Sequence, residues 1–369
     1  MIRKIAFTGL VVSLLVLLVP GGMTAGSSPA VTASSVEVNF PTSLTFNITA
    51  SSDVNITDIR LHYTVARMSH AQIVSEIPLQ FTPARNVTTE WLWDMRMSGG
   101  MPPGSSIDYW WTVTNASGET SETVPLRISI EDERYDWRDT TRGSVTLYWY
   151  EGDDAFADEL MDAVDAALSR LADNTGAELE DSVRLYIYAS SADLRGSMIF
   201  PQEWTGGVAF TEYGVVTIGI PPDSAGLAWG TRAIAHELTH LVVHQVTFNP
   251  YNTLPTWLDE GLSMTAEGEL EAQFLDVLNN AMDSDGLISV RSLASPFSAF
   301  TYEALLGYAE SFEVVTYLFD TYGRANMLEL LNTFAQGSGY DEALTGVYGL
   351  DMDSLNAAWQ ASLEGAAVP

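Results

Sequence analysis

Ala233, Ile234, Ala235, Leu238, Leu241, Val242 and Val243 recur with helical spacing in a stretch without glycine or proline, so the segment around them is expected to be a buried helix. Set into it are His236, Glu237, His240 and His244, which include three of the five histidines of the chain. Ionisable groups on a buried helix are costly unless they are paired or ligated, so whatever packs against this helix must supply their partners. His236 and His240 stand at i and i+4. They are separated by about 6 Å along the axis and about 40° around it, which lets both imidazoles converge on one metal ion at roughly 2.0–2.1 Å. Zinc is the expected ion, one per chain. Glu237 lies roughly 100° round from His236, beside such an ion and not on it, where a carboxylate serves as a general base toward metal-activated water.

A catalytic zinc needs a third protein ligand and an open position. The candidate is Glu260, in Pro255-Thr256-Trp257-Leu258-Asp259-Glu260-Gly261, at the expected start of a second helix that follows the turn-rich loop Phe248-Asn249-Pro250-Tyr251-Asn252. A loop of that length lets the second helix fold back on the first. His244 continues the series His236, His240, but on a straight helix it sits about 12 Å along the axis from His236, too far to share one ion. Glu267, two turns beyond Glu260 on the same face, is open to two readings: a partner that orients a ligand, or a solvated surface acid.

His236-Glu237-Leu238-Thr239-His240 followed by Trp257-Leu258-Asp259-Glu260-Gly261 resembles the gluzincin metallopeptidases, the peptidase MA-like group related to thermolysin and the zinc aminopeptidases. The resemblance covers roughly Val145 to Leu363. It implies an α+β zincin catalytic domain in which His236, His240 and Glu260 bind zinc and Glu237 activates water. It also implies a mixed sheet whose last strand precedes the metal helix and whose exposed edge docks extended substrate; the hairpin from Gly206 to Ile220 is the candidate edge. The run Tyr308-Ala309-Glu310-Ser311-Phe312 with Tyr317-Leu318 is similar to the aminopeptidase helix whose first tyrosine donates to the oxyanion, which makes Tyr308 the candidate donor, with Tyr302 next in line. The Gly-x-Met-Glu-Asn strand that holds a free substrate amine in those enzymes does not occur, so aminopeptidase specificity is not implied.

The formal charge of −32, from 16 basic against 48 acidic residues, excludes nucleic acid as a general partner and disfavours anionic membranes. Met1-Ile2-Arg3-Lys4 followed by the apolar run Ile5 to Val19 reads as a secretory signal, with cleavage after Ala25, or after Ala33, which better fits the small-x-Ala rule; an uncleaved segment would instead be a membrane anchor. The chain has no cysteine, so no disulfide framework or lipidated-cysteine anchor is possible, and an exported protein of this kind fits a prokaryotic source better than an animal one.

Taken in order, residues 1–33 are expected as signal and linker, with 26–35 a small polar stretch. Residues 36–131 are expected as an immunoglobulin- or fibronectin-like β-sandwich of short alternating strands such as Leu44–Ile48, Ile59–Val65 and Ile107–Val113. Glu131 to Arg142 reads as a charged connector, and 143–366 as the gluzincin-like domain with a helical C-terminal part. His62 and His70 are isolated and read as structural or exposed. The function expected is an exported, zinc-dependent peptidase acting on peptide or protein substrates. The alternatives are a metal-binding but inactive adhesion protein on the same fold, or a zinc hydrolase of non-peptide substrates.

Overall fold

The computed structural model describes residues 28–203, 205–298 and 300–366. Of the signal and linker expected at residues 1–33, residues 1–27 lie outside the described residues. The chain divides into two compact units, one formed by the residues up to Asp136 with Arg195–Glu203, the other by Trp137–Leu194 with the residues from Trp204 onward.

The first unit is entirely antiparallel. Its strands are β1 (Ala30–Asn39), β2 (Ser43–Val65), β3 (Ser75–Pro78), β4 (Ala84–Asp94), β5 (Ser105–Asn115), β6 (Thr120–Glu122) and β7 (Leu126–Ile130). The long β2 decides the architecture. Its first half, Ser43 to Ser51, pairs with β1 and β4, and after a register shift its second half, from Ile56, pairs with β5 and β3. Alternation buries Leu44, Phe46 and Ile48 in the first half and Ile59 and Leu61 in the second. The two halves meet through aromatic rings, with Phe46 5.3 Å from Tyr109 and Tyr63 4.8 Å from Trp93. All seven strands therefore join one hydrogen-bonded sheet in which a single strand, β2, runs through both halves. The stretch expected as linker is strand from Ala30 onward. Its small polar residues carry no strand pattern of their own, and the ladder to β2 decides their conformation.

The second unit holds β8 (Arg138–Arg142), β9 (Val145–Trp149), β10 (Val183–Tyr188), β11 (Gly207–Phe210) and β12 (Val215–Gly219), in the order β11-β12-β10-β9-β8. The three central strands are parallel and the two edge strands antiparallel. Every residue of β12 is buried, as a strand covered on both faces requires. The connector expected at Glu131 to Arg142 thus contains an edge strand, hidden in sequence because Arg-Asp-Thr-Thr-Arg is polar on both faces. Arg142 leaves it to bind Asp162 and Asp165 on the neighbouring helix.

The helices are α1 (Asp154–Thr175), α2 (Ser191–Arg195), α3 (Ser224–Thr247), α4 (Thr256–Glu267), α5 (Ala272–Asp283), α6 (Val290–Leu293), α7 (Thr301–Tyr322), α8 (Ala325–Ala335), α9 (Tyr340–Tyr348) and α10 (Met352–Ala366). Asp153 caps α1 and Asp223 caps α3, each accepting a backbone N–H of the first turn. One core lies between α1, α3 and the sheet, around Leu160, Val164, Leu185, Ile218, Ile234 and Leu238. A second core, around Trp257, Leu262, Val315, Phe334 and Trp359, joins α4 to the later helices. α4 packs tightly against α7 because Gly261 has no side chain: a Cβ there would lie 2.4 Å from the Ser311 carbonyl oxygen. Among the described residues no helix is long and apolar enough to cross a membrane.

Candidate metal centre

α3 carries His236 and His240, and the loop after it returns the chain so that α4 brings Glu260 against them. The ligand atoms form a triangle: Nε2 of His236 to Nε2 of His240 is 3.2 Å, and Oε2 of Glu260 lies 3.4 Å from the first and 3.5 Å from the second. A tetrahedral zinc with bonds of about 2.05 Å has ligand–ligand edges of about 3.3 Å, so the three atoms are spaced as three corners of such a shell. Oε2 of Glu260 is buried and makes no hydrogen bond, a cost that a cation in the triangle would remove. Donor set, spacing and orphaned oxygen all fit a divalent transition metal.

The outer nitrogens of both imidazoles are engaged. Nδ1 of His236 donates to Oε1 of Glu267 at 2.8 Å, and Nδ1 of His240 donates to Oδ1 of Asp259 at 2.9 Å. This is the carboxylate–histidine arrangement that fixes the ring tautomer and turns Nε2 toward the ion. Of the two readings open for Glu267, the structure places it as the partner of His236. Asp259 was not read from the sequence, although an acid directly before a candidate ligand was a usable signal. His244 lies outside the triangle, with its Nε2 2.9 Å from Oδ2 of Asp259.

The charges are strongly coupled. Burial alone would lower the His236 imidazole, but the neighbouring carboxylates of Glu260 and Glu267 outweigh burial and carry it up to about 9. His240 is raised well above its ordinary value against the same burial, by Asp259 and Glu260. Burial would raise Glu260, yet the two histidines bring it down to about 2.

The triangle opens on a cavity of about 330 Å³ whose walls include Glu237, Tyr308, His244 and the edge strand residues Gly207, Val208 and Ala209. Glu237 is raised by burial, while the charges of His236 and His240 and the N–H of Ala209 pull it down. Tyr308 is held far above its ordinary value by burial and by the nearby carboxylates of Glu260 and Glu237, which keeps its hydroxyl protonated. Its ring packs edge-on against Phe297 at 5.2 Å and lies 6.4 Å from the His236 ring. Tyr302, its alternative, is half exposed at the start of α7 and does not line the cavity. All five sequence-derived candidates, His236, Glu237, His240, Glu260 and Tyr308, therefore come together around one cavity.

The family model of the Peptidase MA superfamily matches residues 163–365, more than half of the chain. The chain belongs to the Peptidase MA superfamily. Membership bears out the gluzincin-type resemblance carried by the two motifs, both of which lie inside the matched span. Among solved structures, this superfamily member is similar to an M1 zinc metallopeptidase from Deinococcus radiodurans, at 13% identity over 88% of this chain and 90% of that one, with a TM-score of 0.38. It is also similar to Legionella pneumophila aminopeptidase A in complex with aspartic acid, at 10% identity and TM-score 0.40, covering 90% of this chain and half of that one. A third is a catalytically inactive OgpA from Akkermansia muciniphila in complex with an O-glycopeptide, at 7% identity and TM-score 0.22, covering 29% of this chain and 30% of that one. No curated protein sequence matches the chain.

Proposed function

We propose that the protein is an exported zinc-dependent peptidase in which His236, His240 and Glu260 hold one zinc per chain, Glu237 is the general base and Tyr308 the oxyanion donor. The observation that carries this reading is the triangle of donors opening on a cavity whose walls also hold Glu237, Tyr308 and an edge strand. The chemistry that zinc supplies when bound is Lewis-acid activation of water and of the scissile carbonyl. Glu237 accepts the proton of the attacking water and returns it to the leaving amine. Burial raises its basicity toward the range where one carboxyl can do both. Tyr308, protonated, donates its O–H to the oxyanion that forms on the carbonyl. β11 ends the sheet order and lines the cavity, so an extended substrate adds to it as a further strand with its carbonyl over the triangle.

The N-terminal basic and apolar segment supports export. Of the two cleavage positions, Ala25 is favoured, because a cut after Ala33 would fall inside β1 and remove part of its ladder to β2. The first unit is read as a non-catalytic module, an immunoglobulin- or fibronectin-like sandwich adapted by the strand shared between its halves.

The test is turnover of a casein substrate together with zinc content. Glu237→Gln is expected to keep zinc and fold while losing turnover by a large factor, since the amide cannot take the proton. Tyr308→Phe should keep zinc and lose on the order of 10²–10³ in kcat, the effect of removing one oxyanion donor. Alanine at His236, His240 or Glu260 should abolish zinc binding. Undiminished turnover in Glu237→Gln would overturn the peptidase mechanism, and stoichiometric zinc in Glu260→Ala would remove Glu260 from the site.

A further inference from the structure

Arg232, His236, His240 and His244 recur at every fourth residue of α3 and so form one slowly winding stripe. α4 answers with Asp259, Ser263 and Glu267, also every fourth residue, with Glu260 beside the first. The contacts between the stripes are symmetric about the donor triangle. Asp259 accepts from Nδ1 of His240 on Oδ1 and from Nε2 of His244 on Oδ2, both at 2.9 Å. Glu267 accepts from Nδ1 of His236 on Oε1 at 2.8 Å and from the Arg232 guanidinium on Oε2 at 3.1 Å. Each carboxylate thus uses one oxygen for an inner histidine and the other for an outer base, and neither outer base has a part in the proposed reaction.

We infer that His244 and Arg232 are positioning residues, each gripping the outer oxygen of a carboxylate whose inner oxygen sets the ring and tautomer of a metal-binding histidine. The inference rests on reading the inner triangle as a zinc site. The physical reason is rotational. A carboxylate held at one oxygen swings about its side-chain torsions, and the N–H that it accepts swings with it. A second donor at the other oxygen pins the carboxylate plane, and with it the direction of Nε2. Ser263 braces the same arrangement, with Oγ 3.3 Å from Nδ1 of His240 and donating to the Asp259 carbonyl at 3.0 Å. A competing use of the outer pair exists. His240, His244 and Asp259 have ligand atoms within 4.8 Å of one another, the spacing of a second cation site. Nδ1 of His240 is already committed to Asp259, which leaves that site only two donors and favours the positioning role.

The experiment uses the full chain, stripped with chelator and titrated with Zn²⁺ against a colorimetric chelator to give both Kd and stoichiometry. One zinc per chain is expected. Asp259→Asn should weaken binding by about 10–100-fold, the range for partners of a ligating histidine, and His244→Ala by about tenfold, the low end of that range. His244→Gln should recover most of the loss, because its amide N–H can still donate to Asp259. The double variant His244→Ala with Asp259→Asn should bind no more weakly than Asp259→Asn alone, since His244 acts through Asp259. Arg232→Met and Arg232→Lys should repeat the loss and the recovery on the Glu267 side. A role in folding alone would lower the melting temperature of the zinc-free protein and leave Kd unchanged. Wild-type Kd in His244→Ala, or additive losses in the double variant, would overturn the inference. So would two zinc ions per chain with the second lost in His244→Ala, which would make the pair a ligand set. Absence of zinc from the wild type, and unaltered zinc binding in the Glu260→Ala control, would instead bring down the metal-site reading on which it rests.

Discussion

Glu237 owes its place to a side chain that is absent. A Cβ at Gly207 would fall 2.6 Å from Oε1 of Glu237 and 3.1 Å from its Cγ, so glycine on β11 is what lets the carboxylate lie against the edge strand and take the Ala209 N–H. Gly207→Ala is expected to keep zinc and fold, because the displaced atoms are the free end of a flexible side chain. Turnover should fall on the order of 10², the effect of moving a reacting group by about 1 Å. Wild-type kcat in that variant would mean that the position of Glu237 is not critical. Glu237 itself was legible from the spacing of His236 and His240. Its contact with Gly207 was not, because no pattern along the chain relates a strand glycine to an acid on the following helix.

Among the elements, α7 does more than present Tyr308. Glu310, the residue before the Ser311 that meets Gly261, is fully buried, and both its oxygens accept the Ile288 N–H in the loop ahead of α6, at 3.0 and 3.1 Å. Burial raises its carboxyl to about 8, against the lowering effect of that one donor. Between the ordinary value of 4.5 and about 8 the unfolded chain ionises while the folded chain stays protonated. The stability this group contributes is therefore fully present below 4.5 and is lost as pH rises through about 8. Glu310→Gln cannot ionise, so its melting temperature relative to wild type should be flat below pH 4.5 and rise between pH 5 and 8. A difference independent of pH would show that Glu310 is ionised in the fold or exposed. In sequence Glu310 was one more acid in an amphipathic run, and only the docking of the loop at Ile288 makes it a buried one.

For the molecule as a whole, the candidate metal site joins α3 and α4, which belong to the two cores of the second unit. Zinc bound only by the folded chain stabilises it by about 2.7 kcal/mol at a free concentration of 100 times Kd. For a unit of about 200 residues that is roughly 5–10 °C in Tm. Calorimetry with zinc and with chelator should show a shift of that size, reversed by adding zinc back. An equal Tm in the two conditions would count against any metal held by the triangle. The net charge of −32 acts at this scale too, keeping the surface soluble without bearing on which fold forms.

What the sequence determined by itself was what depends on spacing within one segment. The buried helix, the two histidines one turn apart, the acid beside them, the strands of β2 and β5 and the helices α4, α5, α7, α8 and α10 all follow from periods of 3.6 and 2. Recurrence at every fourth residue from His236 to His244 was visible as well, but a stripe has no meaning until something faces it. Tertiary structure alone decided which carboxylate met which nitrogen, that residues 30–35 and Arg138–Arg142 became strand, and that β2 served both halves of its unit. The reason is common to all three. Each depends on the register between segments far apart in the chain, and register is set by packing, as where Gly261 lets α4 close on α7 and so brings Asp259, Glu260 and Glu267 opposite the α3 stripe.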